Sequence, residues 1–204
     1  MFKVACICVV SFAVQCASAG MTNEGIWIDG QALDRDLRNP AKRSSVVGTL
    51  RLQRLNAVRK LVDLVGRDID SNDIPLIEQK VAAIRVLAVL RAEEAVLVLI
   101  MNITIEPFLN DSSAIGDRYP AVAALVAMGK PASRAALDVL GKEDDAQRRA
   151  RLCEVICGVE GVPVGRFMVE YAIEQATDAT TRARLGEALR TLNKNGGTAL
   201  PVKQ

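Results

Sequence analysis

Twelve residues of this chain are written twice. Asp145-Ala146-Gln147-Arg148-Arg149-Ala150-Arg151-Leu152-Cys153-Glu154-Val155-Ile156 returns, little changed, as Asp178-Ala179-Thr180-Thr181-Arg182-Ala183-Arg184-Leu185-Gly186-Glu187-Ala188-Leu189, and Arg149 and Arg182 stand 33 residues apart. That period belongs to stacked helical-hairpin repeats, in which neighbouring units bury a core that no single unit could bury alone. The expectation is therefore an all-α chain of stacked antiparallel hairpins.

The register extends backwards. A basic residue followed by apolar residues seven and ten positions later occurs at Lys80, Leu87, Leu90; at Arg118, Leu125, Met128; at Arg149, Ile156, Val159; and at Arg182, Leu189, Leu192. The intervals between the basic residues are 38, 31 and 33, and the longest contains the turn-rich stretch Glu106 to Gly116, which reads as an insertion between repeats. Half of the residues are hydrophobic, enough for a continuous core.

Residues 1–19 have the pattern of an export signal: Lys3, an apolar run from Val4 to Val14, and Ala17-Ser18-Ala19 as the cleavage site. Residues 20–45 lack a helical period and read as an unstructured arm, with Trp27 in an apolar tripeptide suited to capping the array. A helical-repeat domain is predicted over 46–194 and a loose tail over 195–204. Within the domain, a first helix is expected from Val46 to Val65, a hairpin from Lys80 to Ile103, and helices over 118–128, 132–140, 146–157, 162–176 and from Asp178 onward. Glu143, Asp144 and Asp145 suit the positive end of the central helix, with Asp144-Arg148 and Asp145-Arg149 as i,i+4 pairs, Asp178 suits the cap of the last helix, and Gly158 and Gly161 suit a stop. Asn102-Ile103-Thr104 and Asn110-Asp111-Ser112 fit the glycosylation acceptor pattern.

The residues that carry the repeat resemble the HEAT-repeat superfamily, closest to the short bacterial HEAT-like repeats also found in phycobilisome lyases. The resemblance lies in Arg118 with Ala121-Val122-Ala123-Ala124-Leu125-Val126-Ala127-Met128-Gly129-Lys130-Pro131, and in Arg149 with Cys153-Glu154-Val155-Ile156, Asp145 and Asp178 standing four residues before Arg149 and Arg182. It covers roughly Pro75 to Leu192. It implies a short right-handed α-solenoid of about four hairpins, with Asp145, Arg149, Asp178 and Arg182 as a structural ladder between repeats. Lys80 and Arg118 have no Asp four residues ahead, so the ladder does not continue through them. Lyase activity does not follow from a scaffold signature.

Chemistry is thin. The chain has no His, which removes His-based nucleophilic catalysis, imidazole metal sites and haem attachment through CxxCH. Twenty-six Lys and Arg face twenty-four Asp and Glu, and without Lys3 the balance is 25 − 24 = +1, no basis for nucleic-acid binding. No metal site or cofactor is expected. Cys153 and Cys157, four apart on one helix, are too far apart for a relaxed disulfide and read as free, slowly reacting thiols. What remains is surface: Arg85, Arg148, Arg151, Glu154, Arg184 and Glu187, with Thr181, are expected to face outward from one helix layer. A mixed-sign ridge with few aromatics fits a polar peptide or protein partner. The expected function is a non-catalytic interaction scaffold of the periplasm or cell exterior, not attached to a membrane once the signal is removed. An enzyme or prosthetic-group lyase on the same scaffold is the alternative.

Overall fold

The computed structural model describes residues 35–52, 54–68, 73–108 and 118–194, and in these it is all-helical. The expected signal, Trp27, most of the Glu106 to Gly116 insertion and the tail lie outside the described residues. The α-helices are α1 (Pro40–Leu52), α2 (Arg54–Val65), α3 (Ile74–Leu90), α4 (Val96–Met101, entered through a 3-10 turn at Glu93–Ala95), α5 (Pro120–Met128), α6 (Lys130–Leu140), α7 (Ala146–Glu160), α8 (Val162–Gln175) and α9 (Ala179–Lys194).

One of these boundaries corrects the sequence reading. Helix begins at Pro40, inside the segment expected to be an unstructured arm, after a helical turn at 35–38. The signal for it is local: Asn39 Oδ1 accepts a hydrogen bond from the Ala41 N–H at 3.0 Å, and Pro40 occupies the first helical position, where a missing N–H costs nothing. Helix occupies both described parts of the span expected from Val46 to Val65, up to Leu52 and again from Arg54.

The remaining starts and stops follow from short-range chemistry. Asp73 Oδ1 accepts from Leu76 N at 3.1 Å, Asp145 Oδ1 from Arg148 N at 2.8 Å, and Asp178 Oδ1 from Thr181 N at 2.7 Å, so three helices open on an Asp whose carboxylate satisfies an orphan donor. Two junctions share a Gly-X-Pro pattern. Gly129 (φ 76°, ψ −142°) separates α5 from α6, and Gly161 (φ 84°, ψ 152°) separates α7 from α8. A side chain is strained in that backbone region, and the Pro two residues later suits a helix's first turn. Gly158, expected as part of the stop, lies within α7. A Cβ there would fall 2.7 Å from Val126 Cγ2, so the missing side chain is what lets α7 approach α5 closely.

The odd-numbered helices pack in series, α1 on α3, α3 on α5, α5 on α7 and α7 on α9, and the even-numbered ones from α2 to α4 to α6. Between the two sets, α2 lies on α3, α4 on α5, α6 on α5 and α7, and α8 on α7 and α9. One continuous core runs through all of them, from Leu37 to Leu192. Its centre is α3 and α5, where Val81, Ala83, Ile84, Val86, Leu87, Ala121, Val122, Ala124 and Leu125 are all buried. A helix buried on most sides has no polar face, which is why these two segments are so uniformly apolar. By contrast α6 buries Ala132, Ala136 and Leu140, four residues apart, and presents Arg134 and Asp138 on its open side.

The register positions behave as one series until the end of the chain. Leu87, Leu125 and Ile156 are fully buried, whereas Leu189 is only partly so. Among the described residues no helix follows α9 to cover it. Gly186 shows the same effect. It aligns with Cys153, and a demand for small volume was expected at both, yet nothing lies within 4 Å of a Cβ placed at Gly186.

Candidate polar interface

The basic residue that marks each repeat has a backbone task. Lys80 is buried at 3% exposure, and its ammonium donates to the Arg67 carbonyl just beyond α2 and to Asn102 Oδ1 at 3.3 Å. Arg149 Nη1 donates to the Glu143 and Asp144 carbonyls after α6, at 3.0 and 2.6 Å. Arg182 Nη2 donates to the Ala176 carbonyl after α8, at 2.7 Å. These carbonyls lie in the connections after α2, α6 and α8, where a backbone acceptor has no helical partner, and a cation from the next helix satisfies it.

This replaces the ladder expected of Asp145, Arg149, Asp178 and Arg182. The two aspartates cap their own helices instead, because an N-H three residues on is within reach of a short side chain at little entropic cost. The ion pairs that join α7 and its approach to α9 are Arg149 with Glu187, at 2.6 Å, and Arg184 with Asp144. The i,i+4 pairs expected of Asp144 with Arg148 and of Asp145 with Arg149 are likewise absent, since Arg148 turns to Glu143 at 2.7 Å.

Arg118 is the exception. It points to Glu106, at 3.2 Å, and keeps 56% of its side chain exposed. The carbonyls at the end of α4 are held by Arg148 in its place, Nη1 to Met101 O at 2.9 Å and Nη2 to Ile100 O at 3.3 Å. Arg148 is thus part of the scaffold, and its expected place on a free ridge is a correction. Asn102, at the same helix end, donates to Val98 O at 2.8 Å while accepting from Lys80, so its amide is engaged in the fold and not presented as a glycan acceptor.

Release of Arg118 creates a polar cluster around Tyr119. The Tyr119 ring is buried, with the Arg151 guanidinium 4.3 Å and the Arg118 guanidinium 5.3 Å from its centroid. Gln147 Nε2 donates to the Tyr119 hydroxyl oxygen at 3.3 Å. Loss of water opposes ionisation of Glu106, but hydrogen bonds from Tyr119 and Arg118, with the charge of Arg151, outweigh it and hold the carboxyl below its usual range. Arg151 also pairs with Glu154 at 2.7 Å; there burial wins over the Arg151 charge, and the Glu154 carboxyl is pushed upward. Arg151 and Glu154 are consequently half-buried partners of each other, not free surface charges. Arg85 lines a cleft at the other end of α3 and has an interaction partner in the fold. Glu187 is exposed, and Thr181 gives its backbone N-H to Asp178.

Tyr119 and the freedom of Arg118 were not legible beforehand. A second feature lies on α8. Val164, Phe167 and Tyr171, spaced three and four along α8, form an exposed apolar strip with Phe167 66% exposed and its ring 6.5 Å from that of Tyr171, centroid to centroid. The residues buried on α8 are Gly165 and Val169.

The two cysteines among the described residues, Cys153 and Cys157, are free. Cys153 is buried with its thiol 4.0 Å from the Ala188 carbonyl, and burial, reinforced by Cys157 and Glu154, pushes its pKa up to about 12. Burial also raises Cys157, against the charge of Arg166. Because the thiolate is the reactive form, a disulfide-exchange reagent at pH 7.5 is expected to modify Cys157 slowly and Cys153 only at the rate of unfolding. Single Cys→Ser variants assign the two phases, and rapid modification of Cys153 in folded protein would contradict its burial.

Arg148 gives a pH prediction. Burial opposes ionisation of Glu143, but the Arg148 bond and the Asp145 N-H, at 3.1 Å, prevail and lower its pKa. A carboxyl with a depressed folded pKa binds fewer protons folded than unfolded, so its stabilisation is present above the unfolded value near ~4.3 and is lost as pH falls through the folded one. Arg148→Gln should cost about 1–2 kcal/mol at pH 7 and flatten the acid limb of stability below pH ~4.5, read by urea titrations at several pH values.

Among the described residues no group of three or more His, Cys, Asp or Glu is placed to hold a metal ion, and no helix is long and apolar enough to cross a membrane. Compared with protein-family models, with curated proteins and with solved structures, the chain finds no match.

Proposed function

We propose that the chain is a right-handed α-solenoid of the HEAT-like kind, about four hairpins long, that acts as a non-catalytic interaction module in the periplasm or cell exterior. The serial packing of odd helices on odd and of even on even supports the solenoid. The pattern of residues 1–19 supports export. The single observation behind the interaction surface is Arg118: in a column of basic residues that otherwise cap backbone, it alone is spared that task and stands exposed beside the Tyr119 and Arg151 stack.

On this reading the contact surface centres on the exposed Arg118, with Glu187 on α9 as a second exposed charge, and takes a polar peptide or protein surface. An exposed arginine beside a buried aromatic can pair with a partner carboxylate in a partly desolvated setting. The test is site-specific photocrosslinking in the native host. A photoreactive residue at Glu187 should give one defined protein adduct, and Arg118→Glu should abolish it while leaving the helical circular-dichroism signal unchanged. Adducts from a photoreactive residue at Phe167 with none at Glu187, or indifference to Arg118→Glu, would place the partner elsewhere.

A further inference from the structure

A folded surface seldom leaves several large apolar side chains uncovered together, and here it happens twice, both times on even-numbered helices. The first patch is aliphatic. Leu97 and Met101, one turn apart on the same face of α4, are 67% and 69% exposed, and Leu55 on α2 is exposed as well. The Arg54–Glu94 ion pair, at 3.1 Å, fastens the start of α2 to the 3-10 turn that leads into α4, which brings Leu55 to the same end of the layer. The second patch is the α8 strip of Val164, Phe167 and Tyr171. Charge beside the two patches is opposite. Arg59 stands one turn after Leu55 on the same face of α2, whereas Glu170 and Glu174 stand three and seven residues after Phe167 on the same face of α8. All three are exposed, and among the described residues none of them enters an ion pair. Around the aliphatic patch Arg54 and Glu94 cancel, and the exposed Arg59 and Arg91 outnumber the exposed Glu93, so that side is positive.

We propose that copies of this chain associate head to tail, the aromatic strip of α8 on one copy seated against the aliphatic patch of α2 and α4 on the next, with Glu170 or Glu174 meeting Arg59. Charge selects this pairing over the alternatives. Two α8 strips face to face would bring four carboxylates together, and two aliphatic patches would oppose their arginines, whereas the unlike pairing sets each sign against its opposite. Leucine and methionine side chains adapt to the faces of aromatic rings. Because the two surfaces differ, the contact is heterologous: a pair of copies still has one patch of each kind open, and association continues beyond the dimer. A contact built on so few side chains belongs to the weak, concentration-dependent class. It is separate from the interaction surface at Arg118 and does not depend on it.

Sedimentation velocity of the full chain tests it over protein concentrations from about 5 to 500 µM, the range in which a weak contact fills. The average mass should rise with concentration. Phe167→Ser and Leu97→Ser alter exposed positions, so each should keep its thermal melt and yet stay monomeric across the range. Mixed in equal amounts, the two variants should form a one-to-one complex and nothing larger, because one keeps the aliphatic patch and the other keeps the aromatic strip. Glu170→Lys and Arg59→Glu should each weaken association about tenfold, and the double variant should regain most of the loss. A monomer at every concentration would overturn the proposal, as would association untouched by Phe167→Ser or a mixture of the two serine variants that stays monomeric. Association lost in Phe167→Ser but kept in Leu97→Ser would mean that α8 pairs with itself, and would overturn the head-to-tail arrangement.

Discussion

Replacing Ile156 by alanine is expected to lower stability by about 3 kcal/mol, the range for deleting a large aliphatic side chain from a closed site. Ile156 is fully buried on α7, the helix that packs against α5, α6, α8 and α9 at once. Few atoms are free to collapse into the space it leaves, so the cavity contribution adds to the loss of transfer free energy. Urea titration should show a lower midpoint at unchanged slope, and a thermal melt should fall by about 10 °C. Leu55→Ala makes the comparison, because Leu55 is 81% exposed on α2 and its truncation should stay within ~0.5 kcal/mol. A loss below about 1 kcal/mol at Ile156 would mean that α7 is not the packed centre the contacts describe.

Lys80 is the second position of large effect. Lys80→Ala should cost about 3 kcal/mol, combining an unsatisfied Arg67 carbonyl and Asn102 side chain with the void left by three methylenes and the ammonium. Lys80→Met fills the void and isolates the polar loss at about 2 kcal/mol. Their pH dependence separates the two contributions. Burial lowers the Lys80 pKa, with Asp68 opposing. Between that lowered value and the unfolded one near ~10.4, the unfolded chain binds more protons, so stability contributed through this group rises with pH. The raised cysteine pKa values act oppositely above pH ~8.5, so the informative quantity is the difference between the unaltered chain and Lys80→Met. That difference should show the methionine variant losing the alkaline gain.

Much of the helix layout can be read along the chain because it is made by short-range chemistry. Asp145 and Asp178 cap helices within three residues of themselves, Gly129 and Gly161 stop them, and Leu87, Leu125 and Ile156 recur at one register because each must reach the same core. Where the reading failed or stopped short, a local cue was overlooked or a distant partner was decisive. Asn39-Pro40 is an overlooked cue. The aromatics of α8 are the other kind: Phe167 and Tyr171 are apolar at helical spacing, yet whether such a face is covered depends on which helix arrives beside it.

The polar site shows the division most sharply. Lys80, Arg118, Arg149 and Arg182 are interchangeable as letters in a repeat, and pattern alone assigns them one role. In space three of them reach carbonyls in the connection that follows the preceding helix, while Arg148 takes the carbonyls at the end of α4 and leaves Arg118 to Glu106 and Tyr119. Arginine and lysine side chains are long enough to choose among partners tens of residues away, and that choice depends on which acceptors the packing leaves unsatisfied. Periodicity and capping therefore determine the helices and their inward faces, whereas the assignment of each charge to scaffold or to surface belongs to the tertiary structure, because it is settled by competition for hydrogen bonds between segments that meet only after folding.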